Sequence, residues 1–273
     1  FFSSRRRHTR SCLVSWARWT ALILVALTMF FGYMFVDVLS PLQNMLESTR
    51  GWSPTIFGLY GGSEFILNVC GFLLVAGIIL DKMGVRFTGI LSASLMVLGA
   101  GIKFYGLSNY FYEGGFGYEF LNSFLTDIPA SAKLACLGFM IFGCGTEMAG
   151  VTVSRAIVKW FTGKELALAM GLEMAIARLG VFAVFSLSPW VANWGGDPSV
   201  ARPVAVVGLL LCIGLLTYIA FSVMDFKLDR QTEADTPIGE TEEPFKVADL
   251  KNLFSSKTFL IVSALCVLIA RRS

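Results

Sequence analysis

Six long apolar runs constrain this chain more than any other feature of its sequence. A bilayer core about 30 Å thick needs about 20 apolar residues of helix, and each run meets that length. The alternative, buried helices of a soluble protein, would require all six runs to be apolar on every face. The sequence therefore predicts an all-α membrane protein whose crossing segments lie near Thr20–Ser40, Thr55–Leu80, Phe87–Leu107, Ser131–Val158, Leu166–Ala192 and Pro203–Met224.

The composition agrees with a membrane protein and disfavours most other classes. The chain is 55% hydrophobic and 15% charged, whereas soluble domains run near 45–50% and 25%. A net charge of +3 is too small to indicate a nucleic-acid partner. The six cysteines show no paired spacing, and the single histidine, His8, cannot build a metal site. The sequence also shows no phosphate-binding loop, zinc-ligand cluster or nucleophile elbow, so we expect no enzyme, no metal and no cofactor.

Aromatic and basic residues predict how the segments cross the bilayer. All six tryptophans fall at predicted segment ends, as expected of interfacial belts. Lysine and arginine concentrate in the connections after segments two, four and six, which places those connections and the N-terminus on the cytoplasmic side. The opposite connections hold only Arg50 and Arg202, and the longest of them, Ser108–Ala130, is acidic.

The chain divides into four regions by composition. Residues 1–12 read FFSSRRRHTRSC, which resembles translated sequencing adaptor, although a basic arm that binds anionic lipid is the alternative. Residues 13–224 form the six-helix bundle. Residues 225–257 are polar and broken by prolines and glycine, which favours a cytoplasmic linker. Residues 258–273 begin a seventh helix that is cut off at Ala270, so we expect a gene fragment whose second half is missing.

The connection between segments two and three carries the pattern G-x-x-x-D-K-x-G-x-R. A tight turn between two helices needs a glycine where the backbone bends, and the charged residues can pair with each other or with neighbouring helices. The pattern resembles the loop signature of the major facilitator superfamily, although a charged turn that only follows the positive-inside rule would look similar. The resemblance implies a truncated N-terminal six-helix half of that fold and a latch that holds one conformation closed, made by Gly77, Asp81, Lys82, Gly84, Arg86 and Arg155.

A finer resemblance spans segments four and five. The run RAIVKWFTGKE (155–165), followed by ARLG (177–180), is similar to a branch of the superfamily that contains lysosomal dipeptide transporters and bacterial relatives. Nitrate/nitrite porters share part of this loop. The proline-rich antiporter signature of segment five is missing, which disfavours drug–proton exchange.

Glu147 and Arg178 are the leading candidates for a binding site. At about 1.5 Å per residue both lie about 16–18 Å from the cytoplasmic turn, near the midplane and at the same level. An ionisable group at that depth is a functional hypothesis by default. Glu147 suits a free α-amino group and Arg178 an α-carboxylate, the two ends of a dipeptide, and the family resemblance implies the same. The alternative is a buried ion pair that only fixes helix packing.

Glu64 and Asn68 form a second candidate group, four residues apart on one face of segment two. They either line the pathway and sense protons, or satisfy each other and a neighbouring helix. Tyr60 is a further candidate for the substrate site. We expect Glu173 to be an inner-gate or structural group, and Asp37 and Lys103 to be interfacial.

The sequence thus predicts a secondary or facilitative transporter that works by alternating access with its missing C-terminal half. Short peptides are the expected substrate, with proton coupling left open. The alternatives are transport of a small anion or another organic solute, and a non-transporting scaffold or sensor. Besides substrate, the expected partner is the lipid bilayer, and the expected location is the bacterial inner membrane, or the lysosomal membrane for an animal protein.

Overall fold

The computed structural model describes residues 2–161 and 163–233. The chain divides into two compact units, 1–235 and 236–273, and the second lies outside the described residues, as do most of the predicted linker and the whole seventh helix. A short 3₁₀ turn, Ser40–Leu42, and a π turn, Asn68–Phe72, interrupt the described helices. Those helices are α1 (Phe2–Val36), α2 (Gln43–Arg50), α3 (Pro54–Leu67), α4 (Leu73–Leu107), α5 (Asn109–Tyr112), α6 (Tyr118–Asn122), α7 (Ala130–Trp160), α8 (Lys164–Ala192) and α9 (Ala201–Glu233).

Five stretches within the described residues are long and apolar enough to cross a membrane, and the stretch Pro54–Leu107 is much longer than one crossing needs. This stretch contains two crossings, because α7 touches both of its halves at one level. A side chain at Gly143 would meet the carbonyl of Glu64, and one at Gly145 would meet Ser92. The chain must therefore fold back between Glu64 and Ser92, and it does so at Gly84, whose φ of 76° and ψ of 172° are not helical.

Over residues 2–161 and 163–233 the fold is thus all-α, with the six crossing helices that the sequence predicts. The first is α1, the second is α3 with the start of α4, and the third is the rest of α4. The fourth, fifth and sixth are α7, α8 and α9. We call the end of the bundle near Gly84 the inner end, and the opposite end, where α3 begins, the outer end.

Local sequence signals set the outer end of the second crossing. Gly51 closes α2 in the left-handed conformation, with φ of 68°, which glycine adopts without steric cost. Ser53 then caps α3 by accepting a hydrogen bond from the Ile56 amide, and Pro54 occupies the first turn, where a missing amide hydrogen costs nothing.

Two sets of contacts hold the six helices together. The helix α1 packs against α8 and α9, whereas α4 packs against α7 and α9, and α3 packs against α7. The interface between α4 and α7 is tight because glycines face each other across it. A Cβ on Gly99 would lie 2.5 Å from the carbonyl oxygen of Gly138, and one on Gly138 would lie 2.6 Å from the amide of Lys103. Small residues allow this close approach of backbones, as is common between membrane helices.

Two features differ from the sequence prediction. The helix α9 continues to Glu233, past the predicted end of the bundle at residue 224, because the polar residues of its last turns bind neighbouring helices. Two of the tryptophans are packed inside the protein and not exposed at an interface. Trp52 is fully buried and donates to Ser131 at 3.1 Å, and Trp160 is 7% exposed and donates to Asp225 at 3.0 Å. Trp16, Trp190 and Trp194 are exposed, as a belt requires.

Candidate functional site

A group of charged side chains surrounds Tyr33 at the centre of the bundle. Tyr33 lies on α1, and its hydroxyl group is within electrostatic range of Arg178 and Glu173 on α8, Glu147 on α7 and Glu64 on α3. The guanidinium carbon of Arg178 lies 5.2 Å from the centroid of the Tyr33 ring, an attractive cation–π distance. We call these five residues the central cluster.

Glu147 and Arg178, the leading candidates for ligand binding, are both members of the central cluster but do not pair with each other. Among the described residues no ion pair joins Glu147 to Arg178, although both approach Tyr33. The side chain of Arg178 is exposed and that of Glu147 is half-buried, while Glu64 and Glu173 are buried at 7% and 8% exposure. An accessible carboxylate and an accessible guanidinium on different helices can each bind an oppositely charged group of a ligand.

Glycines of α7 and α8 fall into two groups around the cluster. A Cβ on Gly143 would lie 2.2 Å from the carbonyl oxygen of Glu64, and one on Gly180 would lie 2.4 Å from that of Phe30. These two glycines therefore allow helices to touch. A Cβ on Gly150 or Gly171 would meet nothing within 4 Å, so these two face open space.

Asn68 and Tyr60 both contact α7, so neither simply lines a pathway. The Asn68 amide donates to the backbone carbonyls of Glu64 and Gly143, both at 3.4 Å, and its own oxygen is buried with no partner among the described residues. Asn68 also begins the π turn in which Gly71 has a φ of 105°. The ring of Tyr60 is 3% exposed and stacks on Phe139 at 4.6 Å, and its hydroxyl is buried with no partner in the part of the chain that the structure describes. Tyr60 therefore belongs to the packed core beside Glu64.

Lys103 is not interfacial, contrary to the sequence prediction. Its side chain is fully buried, and its ammonium nitrogen lies 4.4, 4.5 and 5.1 Å from the ring centroids of Phe35, Phe139 and Tyr60. The reason is geometric. Side chains tilt toward the N-terminus of their helix, and α4 runs from the inner to the outer end after Gly84. A lysine near its outer end therefore points back into the bundle.

At the inner end, the residues predicted to form a latch bind three helices together. Arg155 pairs with Asp81. Arg86 donates to Asp225 on α9 at 2.7 Å and also pairs with Asp229. These groups line a polar cavity of about 340 Å³.

The other latch positions are more open. Gly84 supplies the backbone turn, Gly77 faces open space, and Lys82 is exposed. The hydroxyl of Tyr218 on α9 donates to the Val85 carbonyl at 3.1 Å, which ties α9 to the turn itself. Within the described residues no group of three histidine, cysteine or acidic side chains is placed to hold a metal ion.

The family model of the Major Facilitator Superfamily matches residues 22–271 of the chain. That range begins within α1 and includes the other five crossing helices and both groups of charged residues. The chain belongs to the Major Facilitator Superfamily. It is therefore a multi-pass membrane protein.

Curated relatives of this superfamily protein carry more specific names. The chain is 32% identical to the lysosomal dipeptide transporter MFSD1 of Gallus gallus over 135 residues, 48% of this chain and 30% of that protein. It is 23% identical to MFSD1 of Pongo abelii over 265 residues, 93% of this chain and 51% of that protein. A solute carrier family 49 member 4 homolog of Xenopus tropicalis is 27% identical over 203 residues, covering 72% and 37%. The chain thus spans about half the length, or less, of the curated relatives it matches.

Sequence reasoning missed two acidic residues of this superfamily protein. Asp225 is 1% exposed and accepts from Arg86, from Lys159 at 2.9 Å and from the Trp160 indole. Asp229 pairs with Arg86 and Lys159. The sequence analysis placed both in the linker, because they follow the last apolar run and the residues after it are polar. Their spacing of four residues on a continuing helix was the signal that could have found them.

Proposed function

We propose that this superfamily member transports short peptides, most simply dipeptides, by alternating access. One observation carries the proposal: Glu147 and Arg178 approach Tyr33 from two helices without pairing with each other. A dipeptide in water carries a free ammonium at one end and a carboxylate at the other. Glu147 would bind the ammonium, and Arg178 would bind the carboxylate through two parallel hydrogen bonds.

The rest of the central cluster supports this assignment. Gly150 and Gly171 lie within one turn of Glu147 and Glu173 along α7 and α8 and face open space, which would suit side chains of differing size. Tyr33 holds the Arg178 guanidinium against its ring face, so less side-chain freedom is lost when a carboxylate binds. Several relatives are named as dipeptide transporters, in agreement with this chemistry.

The test measures uptake by the full-length protein in proteoliposomes with three ligands: a labelled dipeptide, its N-acetylated form and its C-terminally amidated form. Loss of one charged hydrogen-bonded contact costs about 1.5–3 kcal/mol, roughly a tenfold to hundredfold loss in apparent affinity. We expect Glu147→Gln to produce that loss for the free and amidated peptides but to leave the acetylated one unchanged. We expect Arg178→Ala to produce it for the free and acetylated peptides only.

Glu119→Gln serves as the matched control, because Glu119 is an exposed carboxylate of the loop helix α6. It should transport like the unmodified protein. Uptake of none of the three ligands would overturn the peptide proposal. Uptake of a small inorganic anion in its place, lost with Arg178→Ala alone, would establish anion transport instead.

A further inference from the structure

An apolar groove lies at the outer end of the bundle and shares no lining residue with the central cluster. Its volume is about 680 Å³, and it lies between α4, α7 and the outer loop, residues 108–129, which contains α5 and α6. Its lining includes Val97, Gly101 and Tyr105 of α4, Phe116 and Phe120 of the outer loop, and Leu134 of α7. We call this space the outer groove.

The outer groove follows α4 through about one leaflet of the bilayer. Val97 lies ten residues before Leu107, the last residue of α4, which is a distance of about 15 Å at 1.5 Å per residue. The hydrocarbon core is about 30 Å thick, so this depth is about half of it. The groove therefore reaches from the outer surface to the level at which the acyl chains of the outer leaflet end.

The outer groove offers little to a polar occupant. Among the described residues that line it, Tyr105 alone carries a polar side-chain group, and its hydroxyl already donates to the Phe116 carbonyl at 3.2 Å. The charged ends of a peptide, or the polar groups of a protein surface, would lose their water there without gaining a partner. The lining therefore favours an apolar occupant.

Side chains of α4 and α7 hold the outer loop against the groove. Besides the Tyr105 hydrogen bond, the Lys133 ammonium at the start of α7 donates to the Leu121 carbonyl at 2.5 Å and to the Phe124 carbonyl. It also lies 4.7 Å from the centroid of the Phe124 ring, an attractive cation–π distance. These contacts fix the outer loop as one wall of the groove.

The outer loop also exposes aromatic rings beside the groove. Phe116 and Phe120 are 90% and 73% exposed. Exposed apolar patches mark contacts with proteins or membranes, and apolar rings are more stable in hydrocarbon than in water. Because these rings line a groove that is one leaflet deep, the geometry favours the membrane as their neighbour.

We propose that the outer groove binds one acyl chain of a phospholipid from the outer leaflet. The chain lies along α4 from Phe116 at the surface to Val97 near the midplane, and its headgroup stays outside the outer loop. Lipid chains and the groove are equally apolar, so packing selects the site. A chain held by α4, α7 and the outer loop has more close carbon contacts than a chain on an open helix face. This inference does not depend on which substrate the protein transports.

The test maps where a photoreactive lipid attaches to the full-length protein. Proteoliposomes of phosphatidylethanolamine and phosphatidylglycerol contain a small fraction of phosphatidylcholine with a diazirine at the end of one acyl chain. A second preparation carries the diazirine next to the ester. After illumination, mass spectrometry of peptides locates the adducts. The terminal diazirine should label residues near Val97, and the diazirine next to the ester should label residues near Phe116 and Phe120.

Leu209 of α9 gives the reference for ordinary contact with bilayer lipid. It lies eight residues from the outer end of α9 at Ala201, about 12 Å deep, and it is 69% exposed. We expect about tenfold more adduct in the outer groove than around Leu209, the preference that about ten additional carbon–carbon contacts would give. Equal adduct formation at the two places would overturn the proposal.

Gly101→Leu tests the groove itself. Gly101 lines the groove, and a Cβ there would meet nothing within 4 Å, so leucine should fill the space and lower the groove adducts to the level found around Leu209. Leu209→Phe is the matched control, because it enlarges an apolar side chain in the same leaflet outside the groove, and it should leave the groove adducts unchanged. If Gly101→Leu does not fold, Phe120→Ser, which removes a ring from the outer-loop wall, provides the same comparison.

The remaining outcomes concern the identity of the occupant. Groove adducts that persist in a folded Gly101→Leu variant would overturn the proposal, because the filled space has no room for a chain. A photoreactive benzoylphenylalanine at position 120, in the full-length protein in intact cells, should crosslink to phospholipid. Crosslinks to a protein in place of lipid would overturn the proposal and identify the outer loop as a protein-binding surface.

Discussion

At the scale of single residues, glycine is required where backbones touch and not where the helix faces open space. Gly143 and Gly150 lie on the same helix, α7, seven positions apart. A Cβ at Gly143 would stand 2.2 Å from the Glu64 carbonyl oxygen, and one at Gly150 would meet nothing within 4 Å. The same residue type therefore has a packing role at one position and leaves space at the other.

This contrast predicts opposite effects of one substitution. Gly143→Ala should destabilise the protein by about 1–3 kcal/mol, because α7 must move away from α3. Gly150→Ala should be neutral or stabilise the protein by up to about 1 kcal/mol, because alanine has less backbone freedom than glycine in the unfolded chain and loses less of it on folding. Thermal unfolding of the two variants in detergent compares them directly. Equal melting temperatures would contradict the close contact of Gly143.

At the scale of helices, Asp225 joins the inner end of α9 to both α4 and α7. Its carboxylate is 1% exposed and accepts from Arg86, Lys159 and Trp160. Asp229 lies one turn later, pairs with the same two cations and is 36% exposed. The two aspartates thus share partners but differ in their access to water.

Removing each carboxylate should therefore have different consequences. Asp225→Asn leaves the buried Trp160 indole and two partly exposed cations, Arg86 and Lys159, with a weaker acceptor and should cost about 1–3 kcal/mol. Asp229→Asn removes a solvated pair and should cost about 0–1 kcal/mol. Melting temperatures in detergent at low and high salt compare the two, since the Asp229 carboxylate is more open to screening than that of Asp225. A larger loss from Asp229→Asn would reverse this ranking.

At the scale of the whole molecule, the positive-inside rule and the fold together predict which side each connection faces. The turn at Gly84 and the loop after α6 lie at opposite ends of the bundle, and Lys82 and Thr126 are exposed there. The basic turn should face the cytoplasm and the acidic loop the outside. The bilayer in which the protein works, that of a bacterial cell or of a lysosome, stays a prediction.

Cysteine labelling tests this orientation. In a background with the six native cysteines replaced by serine, Thr126→Cys should react with a membrane-impermeant maleimide in intact bacterial cells. Lys82→Cys should react only after the cells are lysed, because the membrane separates it from the reagent. Labelling of Lys82→Cys in intact cells would invert the assigned topology.

The sequence by itself determined the class of this protein and the main residues of its candidate site. Six apolar runs predict the crossing helices because bilayer thickness fixes the length of helix that is needed. Depth along each run placed Glu147 and Arg178 at one level, because rise per residue is constant in a helix. The charged turn from Gly77 to Arg86 pointed to the superfamily that the family model confirms.

Only the tertiary structure decided which faces of those helices meet. Hydropathy measures how apolar a segment is and does not record its rotation about the helix axis. Lys103 therefore looked interfacial but is buried among three rings, and Asp225 looked like linker but closes the inner end. Glu64 lies against Gly143 only because α7 packs against α3. Such contacts depend on residues far apart in the chain, and the hydropathy of a single segment does not predict them.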